Sequence, residues 1–294
     1  MNAFNKLKIA IIGSGNIGTD LLMKSLRSDF IQCTLFAGRN FNSAGMKKAT
    51  TLGVPISDRG IEAIVSDPTI CDLVFDCTSA QAHIEHWAVL EKLGKIVIDM
   101  TPAKLGALCV PAINAIECID EGARNLNMIT CGGQVSIPIA YAISQVHKDI
   151  EYIEVASSIA SRSAGPATRY NLDEYVETTQ DALRKFSGVK RAKAILILNP
   201  AIPPIDMQTT IYAKISNPDL PAIQASVVAM VKKLNQYVPG YQILLAPTIE
   251  GNKVVTTIKV LGAGDYLPQY AGNLDIINCA AISMAELIAK SNRL

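Results

Sequence analysis

An excess of charge of either sign is what this 294-residue chain most plainly lacks. Its 27 lysines and arginines nearly balance 26 aspartates and glutamates, for a formal net charge of +1. Such a balance argues against a polyanion partner held by bulk electrostatics. No basic stripe with interleaved aromatics is present, which leaves nucleic-acid binding without support. Paired cysteines are missing as well. The seven cysteines, at 33, 71, 77, 109, 118, 131 and 279, never fall in a C-x-x-C spacing, so no metal site is expected. Their odd number fits a reducing compartment better than a full disulfide framework. The run Lys8-Ile9-Ala10-Ile11-Ile12-Gly13 is too short for a signal-peptide core, and no apolar run is expected to reach membrane-spanning length. A cytoplasmic protein without membrane contact is the plain expectation. What is present is ordinary globular material, 49% apolar and 18% charged, in a length that suits two domains.

Across residues 1–130, short apolar runs alternate with helical patterns. Residues 7–12, 31–37, 73–76, 95–99 and 127–130 read as strands, and 16–27 and 83–93 as helices. Strands alternating with helices mean parallel pairing with helices on both sheet faces. After Cys131 the rhythm changes. A helix is expected over 136–147 with Pro138 in its first turn, then a β-rich run over 150–161. Asn171-Leu172-Asp173-Glu174 has the pattern of a capping box opening a helix toward Phe186. Residues 194–198, 209–215, 241–249 and 253–261 read as strands and 221–237 as a helix, with Glu250-Gly251-Asn252 marking a hairpin.

One loop joins this pattern to chemistry. Gly13, Ser14, Gly15, Asn16, Ile17 and Gly18 form G-x-G-x-x-G directly after a strand and directly before a helix. The first glycine serves the tight turn, the second the approach of a pyrophosphate, the third close helix–strand packing. Amides at the helix start then hold phosphates. The expected fold class is therefore α/β: an N-terminal Rossmann doubly wound parallel sheet over residues 1–130. An α+β domain with a mainly antiparallel sheet follows over 131–274, and a last helix, 275–294, returns to the first domain. Where an acid would hold the ribose 2′-hydroxyl, the sequence reads Gly38-Arg39-Asn40. Arg39 can favour a 2′-phosphate, stack on adenine or face solvent.

A second feature is Met128-Ile129-Thr130-Cys131-Gly132-Gly133-Gln134, which sets one cysteine between a strand and a helix and against two glycines. A helix N-terminus stabilises a thiolate, and the glycines leave room for a substrate and offer amides to an oxyanion. By position alone, Cys131 reads equally as a nucleophile and as a buried thiol beside a glycine turn. The small-residue loop Ser163-Ala164-Gly165-Pro166-Ala167-Thr168-Arg169 can shape a ligand contact or simply lie at the surface. Asn273, in Tyr270-Ala271-Gly272-Asn273-Leu274-Asp275, is a ligand contact or a helix N-cap. His83, His86 and His147 lie on helical patterns with no matching acid cluster, and read as packed or solvated. Asp76 and Asp99, at strand ends, touch a cofactor or cap helices. Asp206 and Glu250 read as solvated.

Taken together, these motifs resemble the acylating acetaldehyde dehydrogenases of the meta-cleavage pathway of aromatic breakdown. The resemblance runs nearly the whole chain, through Ile11 to Leu21, Val74-Phe75-Asp76, Asp99-Met100-Thr101-Pro102-Ala103 and the Cys131 motif. It continues through Ser158-Ile159-Ala160-Ser161, Leu198-Asn199-Pro200-Ala201 and the stretch from Tyr266 to Ile276. It implies a dimerisation domain beside the dinucleotide domain, NAD as cofactor and coenzyme A as co-substrate. It also implies an acyl-thioester on Cys131, a homodimer, and a 4-hydroxy-2-oxovalerate aldolase partner passing on acetaldehyde or propanal. The family's NAD contacts fall on Ser14 to Ile17, on Ser163, Ala164, Gly165, Pro166, Arg169 and Asn171, and on Asn273. Two departures stand out. Met207-Gln208-Thr209-Thr210 puts Thr209 where the family carries an acid that helps activate the thiol, and the segment between Pro239 and Gly262 is shorter than usual. Two other readings stay open: a phosphate-using semialdehyde-type enzyme with Arg162 or Arg169 as phosphate ligand, and a non-catalytic NAD-binding subunit.

Overall fold

Six consecutive residues, Leu7–Ile12, bury every side chain but Lys8, as a strand covered on both faces must. They form the first strand of a computed structural model that describes residues 5–291, the side chains of 166 and 167 excepted. The chain divides into two compact units, residues 1–128 with 278–294, and residues 129–277.

In the first unit the order is β1 (Leu7–Ile12), α1 (Asn16–Ser25), β2 (Ile31–Ala37), α2 (Ala44–Thr51), β3 (Ile56–Ser57) and α3 (Glu62–Ser66). It continues β4 (Leu73–Asp76), α4 (Ala80–Leu90), β5 (Ile96–Asp99), β6 (Ala107–Leu108), α5 (Pro111–Asp120) and β7 (Asn125–Asn127). The sheet order is β3-β2-β1-β4-β5-β7-β6, with every neighbouring pair parallel. The order reverses between β1 and β4, the point at which open α/β sheets bind ligands beyond their strand ends. In register, Ile12, Asp76, Asp99 and Asn127 lie side by side at the last rung of four strands.

The second unit holds α6 (Cys131–Val146), β8 (Tyr152–Ala160), α7 (Pro166–Tyr170), α8 (Leu172–Ser187), β9 (Ala192–Asn199) and β10 (Met207–Lys214). Then come α9 (Leu220–Leu234), β11 (Tyr241–Glu250) and β12 (Lys253–Val260). Its sheet runs β11-β12-β10-β8-β9, antiparallel except for the β8–β9 pair. Alternation sets the buried face: Ile153, Val155, Ser157 and Ile159 of β8, with Met207, Thr209, Ile211 and Ala213 of β10. Helix α6 packs across β8, β10 and β12, α8 beside β9 and α9 beside β11. The last helix, α10 (Gly272–Ser291), begins in the second unit and ends in the first; residues 292–294 of the expected terminal helix lie outside the described residues.

Several sequence expectations need correction. Helix α6 begins at Cys131, not at 136, because Thr130 caps it, and Pro138 therefore sits inside the helix and not in its first turn. The segment 171–174 does not act as a capping box, since the Asn171 side chain makes no cap bond to α8. Asn273 is no N-cap either: α10 has already begun at Gly272. Helix α10 is, by length and composition, apolar enough to cross a membrane, contrary to the expectation that no run is; 67% of that stretch is buried within protein, as in a core helix.

Candidate active site

The dinucleotide loop is shaped by contacts only glycine permits. Gly13 has φ of 112°, and a Cβ on it would lie 2.5 Å from the Cys77 carbonyl oxygen. A Cβ on Gly18 would lie 1.9 Å from the Gly13 carbonyl oxygen, so α1 can sit this close to β1 only with glycine there. Above Gly15 a Cβ would meet nothing within 4 Å, which leaves the backbone open to approach. Gly15 and Asn16 are exposed, and no side chain caps α1, so its first amides are free to hold an anion at the positive end of the helix. Ser14 Oγ accepts a hydrogen bond from Ser43 Oγ at 3.1 Å, and the Ile17 carbonyl accepts from Asn278 Nδ2 at 3.2 Å. These features fit a dinucleotide pyrophosphate. Arg39, past the end of β2, is exposed.

Next to this loop lies a buried ionic cluster that the sequence reading missed. His83 and His86, one turn apart on α4, both place Nδ1 on Asp76 Oδ2, at 3.0 and 2.8 Å. His83 Nε2 also lies 3.5 Å from Asp99 Oδ2 and 3.2 Å from Asn125 Nδ2. Asn127 Nδ2 donates to Asp99 Oδ2 at 2.8 Å. The histidines thus do have an acid cluster, contrary to expectation. The two aspartates hold histidines and their own strand-end turns: Asp76 Oδ1 accepts from the Thr78 amide at 3.1 Å, and Asp99 Oδ1 from the Thr101 amide at 2.7 Å. Burial opposes the Asp76 charge, but hydrogen bonds from His83 and His86 outweigh it and hold the carboxyl well below its usual range. Burial pushes Asp99 up to about 7. For His83 burial works downward, and the bond to Asp76 with the nearby Asp99 charge raises it on balance. The signal available in the sequence was two aspartates ending consecutive strands with a histidine pair on the helix between them.

In the second unit, Thr130 Oγ1 accepts the Gly133 amide at 2.9 Å and shares a hydrogen bond with Thr179 Oγ1 at 2.7 Å. Cys131 is consequently the first helical residue of α6, at its positive end. Ile129, just before the cap, has φ of 65°, a conformation that costs a β-branched residue about 1–3 kcal/mol. Cys131 is half-buried, with its Sγ 4.0 Å from Tyr175 Oη. Burial lifts the thiol to about 11, against the pull of the Tyr175 hydrogen bond and of the Gly132 and Cys131 amides. The helix end alone does not ionise this thiol, as the sequence had suggested, because burial outweighs it. Gly132 admits the phenol: a Cβ there would lie 2.0 Å from Tyr175 Oη and 3.0 Å from Ser157 Oγ. Ser157 hydrogen-bonds the phenol and sits 2.9 Å from Thr209 Oγ1. Tyr175, Ser157 and Thr209 are buried, and nothing in the sequence singled out the first two. Asp206 is paired with Lys259 Nζ at 2.8 Å, not merely solvated.

The remaining predicted contacts fall in the second unit. Ser163 and Ala164 are buried, and Ser163 Oγ donates to the Ala160 carbonyl at 2.8 Å. Arg169 turns back on its own loop, donating to the Ala164 carbonyl at 3.1 Å and to Ser161 O and Oγ at 3.0 and 2.9 Å. That exposed guanidinium is a loop clasp, tying Arg169 to Ser161 and Ala164. Gly165 and Asn171 are half-buried, and the Pro166 side chain lies outside the described residues. Asn273 is 1% exposed, and its Oδ1 is buried without a hydrogen-bond partner among the described residues. A buried orphan acceptor of this kind suits a ligand's amide or hydroxyl donor.

Comparison with known proteins fits both halves. Residues 8–119 match the semialdehyde dehydrogenase NAD-binding domain, and residues 131–268 the dimerisation domain of prokaryotic acetaldehyde dehydrogenase. The chain is 70% identical over 288 residues to an acetaldehyde dehydrogenase of Pectobacterium atrosepticum, covering 98% of this chain and 97% of that one. It is 49% identical to one from Geobacillus stearothermophilus, covering 97% of each. Aspartate semialdehyde dehydrogenase II of Vibrio cholerae shares the fold, with a TM-score of 0.67 at 12% identity over 98% of this chain and all of that one. A nicotinamide-dinucleotide loop, a capped helix opening on cysteine and this extent of identity lead to one conclusion: the chain belongs to the acetaldehyde dehydrogenase family.

Proposed function

We propose that the protein oxidises acetaldehyde or propanal with NAD and coenzyme A to an acyl-CoA, through a thioester on Cys131. The observation that carries this reading is Cys131 itself, half-buried as the first residue of a capped helix, with its sulfur 4.0 Å from the Tyr175 phenol; the room expected at Gly132 is taken by that phenol and is not substrate space. The Cys131 sulfur attacks the aldehyde carbon, and the oxyanion that forms is stabilised by the positive end of α6, at which Cys131 is the first residue. When bound, NAD supplies the hydride acceptor that makes the Cys131 adduct a thioester. Residues 13–18 would hold its pyrophosphate, and Ser163, Ala164, Gly165, Pro166, Arg169, Asn171 and Asn273 are the further contacts we assign to it. The thioester keeps the oxidation energy, and the thiol of coenzyme A takes the acyl group and frees Cys131.

We further assign residues 1–130 and the terminal helix to dinucleotide binding, and 131–274 to catalysis and dimerisation. A cytoplasmic homodimer supplied with aldehyde by a 4-hydroxy-2-oxovalerate aldolase completes the reading. The phosphate-using alternative is weakened because Arg169 is engaged with Ser161 and Ala164. The test follows NADH absorbance with acetaldehyde, NAD and coenzyme A. Cys131→Ala is expected to lose at least about a thousandfold in rate, as loss of a covalent nucleophile does. Activity that survives in this variant, or a wild-type protein inert to every short aldehyde, overturns the proposal.

A further inference from the structure

Four elements converge on the Cys131 sulfur with a row of hydroxyls. Thr209 Oγ1 on β10 lies 2.9 Å from Ser157 Oγ on β8, Ser157 bonds Tyr175 Oη on α8, and Tyr175 Oη lies 4.0 Å from Cys131 Sγ at the start of α6. The Gly132 amide, which can only donate, also bonds the phenol oxygen. Each hydroxyl carries one proton, so the row points one way at a time. While sulfur keeps its proton, S–H donates to Tyr175 Oη and the row points toward Thr209. A thiolate has no proton to give, and the row then has to reverse. Thr209 donates to Ser157, Ser157 to Tyr175, and the phenol proton is left for sulfur. Hydroxyl rotation alone accomplishes the reversal. Threonine at 209 permits it because its hydroxyl both donates and accepts.

We propose that Tyr175 is a catalytic residue whose phenol donates the hydrogen bond that stabilises the Cys131 thiolate, with Ser157 and Thr209 as positioning residues that aim it. This deepens the proposed function, since it names what supports the nucleophile of that reaction. The phenol is fit for donation because burial, and then the neighbouring Cys131, push it well above its usual value, so it stays protonated throughout the working range. The groups acting on the sulfur are this phenol and the Gly132 and Cys131 amides.

The test is alkylation of the full chain by iodoacetamide, a reaction of the thiolate that requires no cofactor or aldehyde. The rate at Cys131 is read by mass spectrometry of its peptide across neutral to mildly alkaline pH, alongside the thiolate ultraviolet absorbance. Losing a hydrogen bond to a charged group lowers the thiolate fraction about tenfold. The greater nucleophilicity of a more basic thiolate returns about threefold of that. Tyr175→Phe is therefore expected to slow Cys131 alkylation about threefold at fixed pH and to diminish the thiolate absorbance. Ser157→Ala and Thr209→Val slow it in the same direction by less, and Thr209→Ser restores the wild-type rate. A merely structural phenol would give the opposite result, since loosened packing speeds alkylation. An unchanged or faster rate in Tyr175→Phe overturns the proposal, and if that variant does not fold, Ser157→Ala decides by the same criterion. Absence of NADH production from acetaldehyde would remove the proposed function and leave this result standing, so the two failures are distinguishable.

Discussion

Gly18 illustrates how much a single hydrogen can decide. Its Cα faces the Gly13 carbonyl so closely that an added methyl would lie 1.9 Å from that oxygen, and backbone on both sides leaves no flexible group to yield. Gly18→Ala is expected to push α1 off β1, spoil the anion-facing amides and weaken NADH binding by roughly tenfold, about 1.4 kcal/mol. Titration of NADH fluorescence measures this, and a dissociation constant within about twofold of wild type contradicts it. The same argument explains why the loop was recognisable from the sequence: the Gly18–Gly13 contact lies within one strand–turn–helix unit, so the spacing of the glycines records it. Tyr175 had no such local signature. It lies 44 residues from Cys131 and reads as one more apolar position on an amphipathic helix until the sheet brings Ser157 and Thr209 beside it.

At the scale of elements, α6 matters most, because its first residue is Cys131. The 136–147 expectation missed its first turn because two glycines and a cysteine carry weak helix propensity. The cap supplies what propensity lacks. Thr130 Oγ1 takes up the Gly133 amide and ties the turn to Thr179, whose own hydroxyl donates to the Tyr175 carbonyl at 2.7 Å. Thr130→Ala is expected to cost about 1–2 kcal/mol in urea unfolding, while Thr130→Ser costs much less. Equal losses in the two variants would shift the explanation from capping to methyl packing. The long strands were read more faithfully than the short elements: β3 and β6 were missed, and the strand expected over 127–130 lies at Asn125–Asn127. Strand apolar runs such as Leu73–Asp76 are buried on every residue, whereas α2, α3 and α5 are too short or too weakly patterned to be recognised.

The whole molecule feels the Asp76–His83–Asp99 cluster through its pH dependence. His83 and Asp99 are both raised relative to their usual values of 6.5 and 3.8, Asp99 to about 7. Their contribution to stability is complete below the unfolded values and is lost as pH climbs through the folded ones. Asp76 is lowered and acts oppositely: its contribution is present above its usual 3.8 and is lost only in acid. The melting temperature is therefore expected to decline as pH rises from mildly acidic to mildly alkaline, and His83→Gln to flatten the alkaline limb by removing the histidine titration. A wild-type profile flat across that span, or a slope unchanged in His83→Gln, would count against the cluster as its source.

The sequence by itself determined the α/β class, the parallel first sheet, the mainly antiparallel second one and the geometry of the dinucleotide loop. All of these rest on periodicity or, for the loop, on the spacing of its glycines. The tertiary structure alone decided the rest. Burial, and not the helix end, governs the Cys131 thiol, and Asp76 and Asp99 enclose a histidine because register aligns the last rungs of β4 and β5. A row of hydroxyls reaches the sulfur from positions 157, 175 and 209. The physical reason is common to them all: desolvation and long-range hydrogen bonds depend on what the folded chain places around a group, and sequence spacing carries no trace of that.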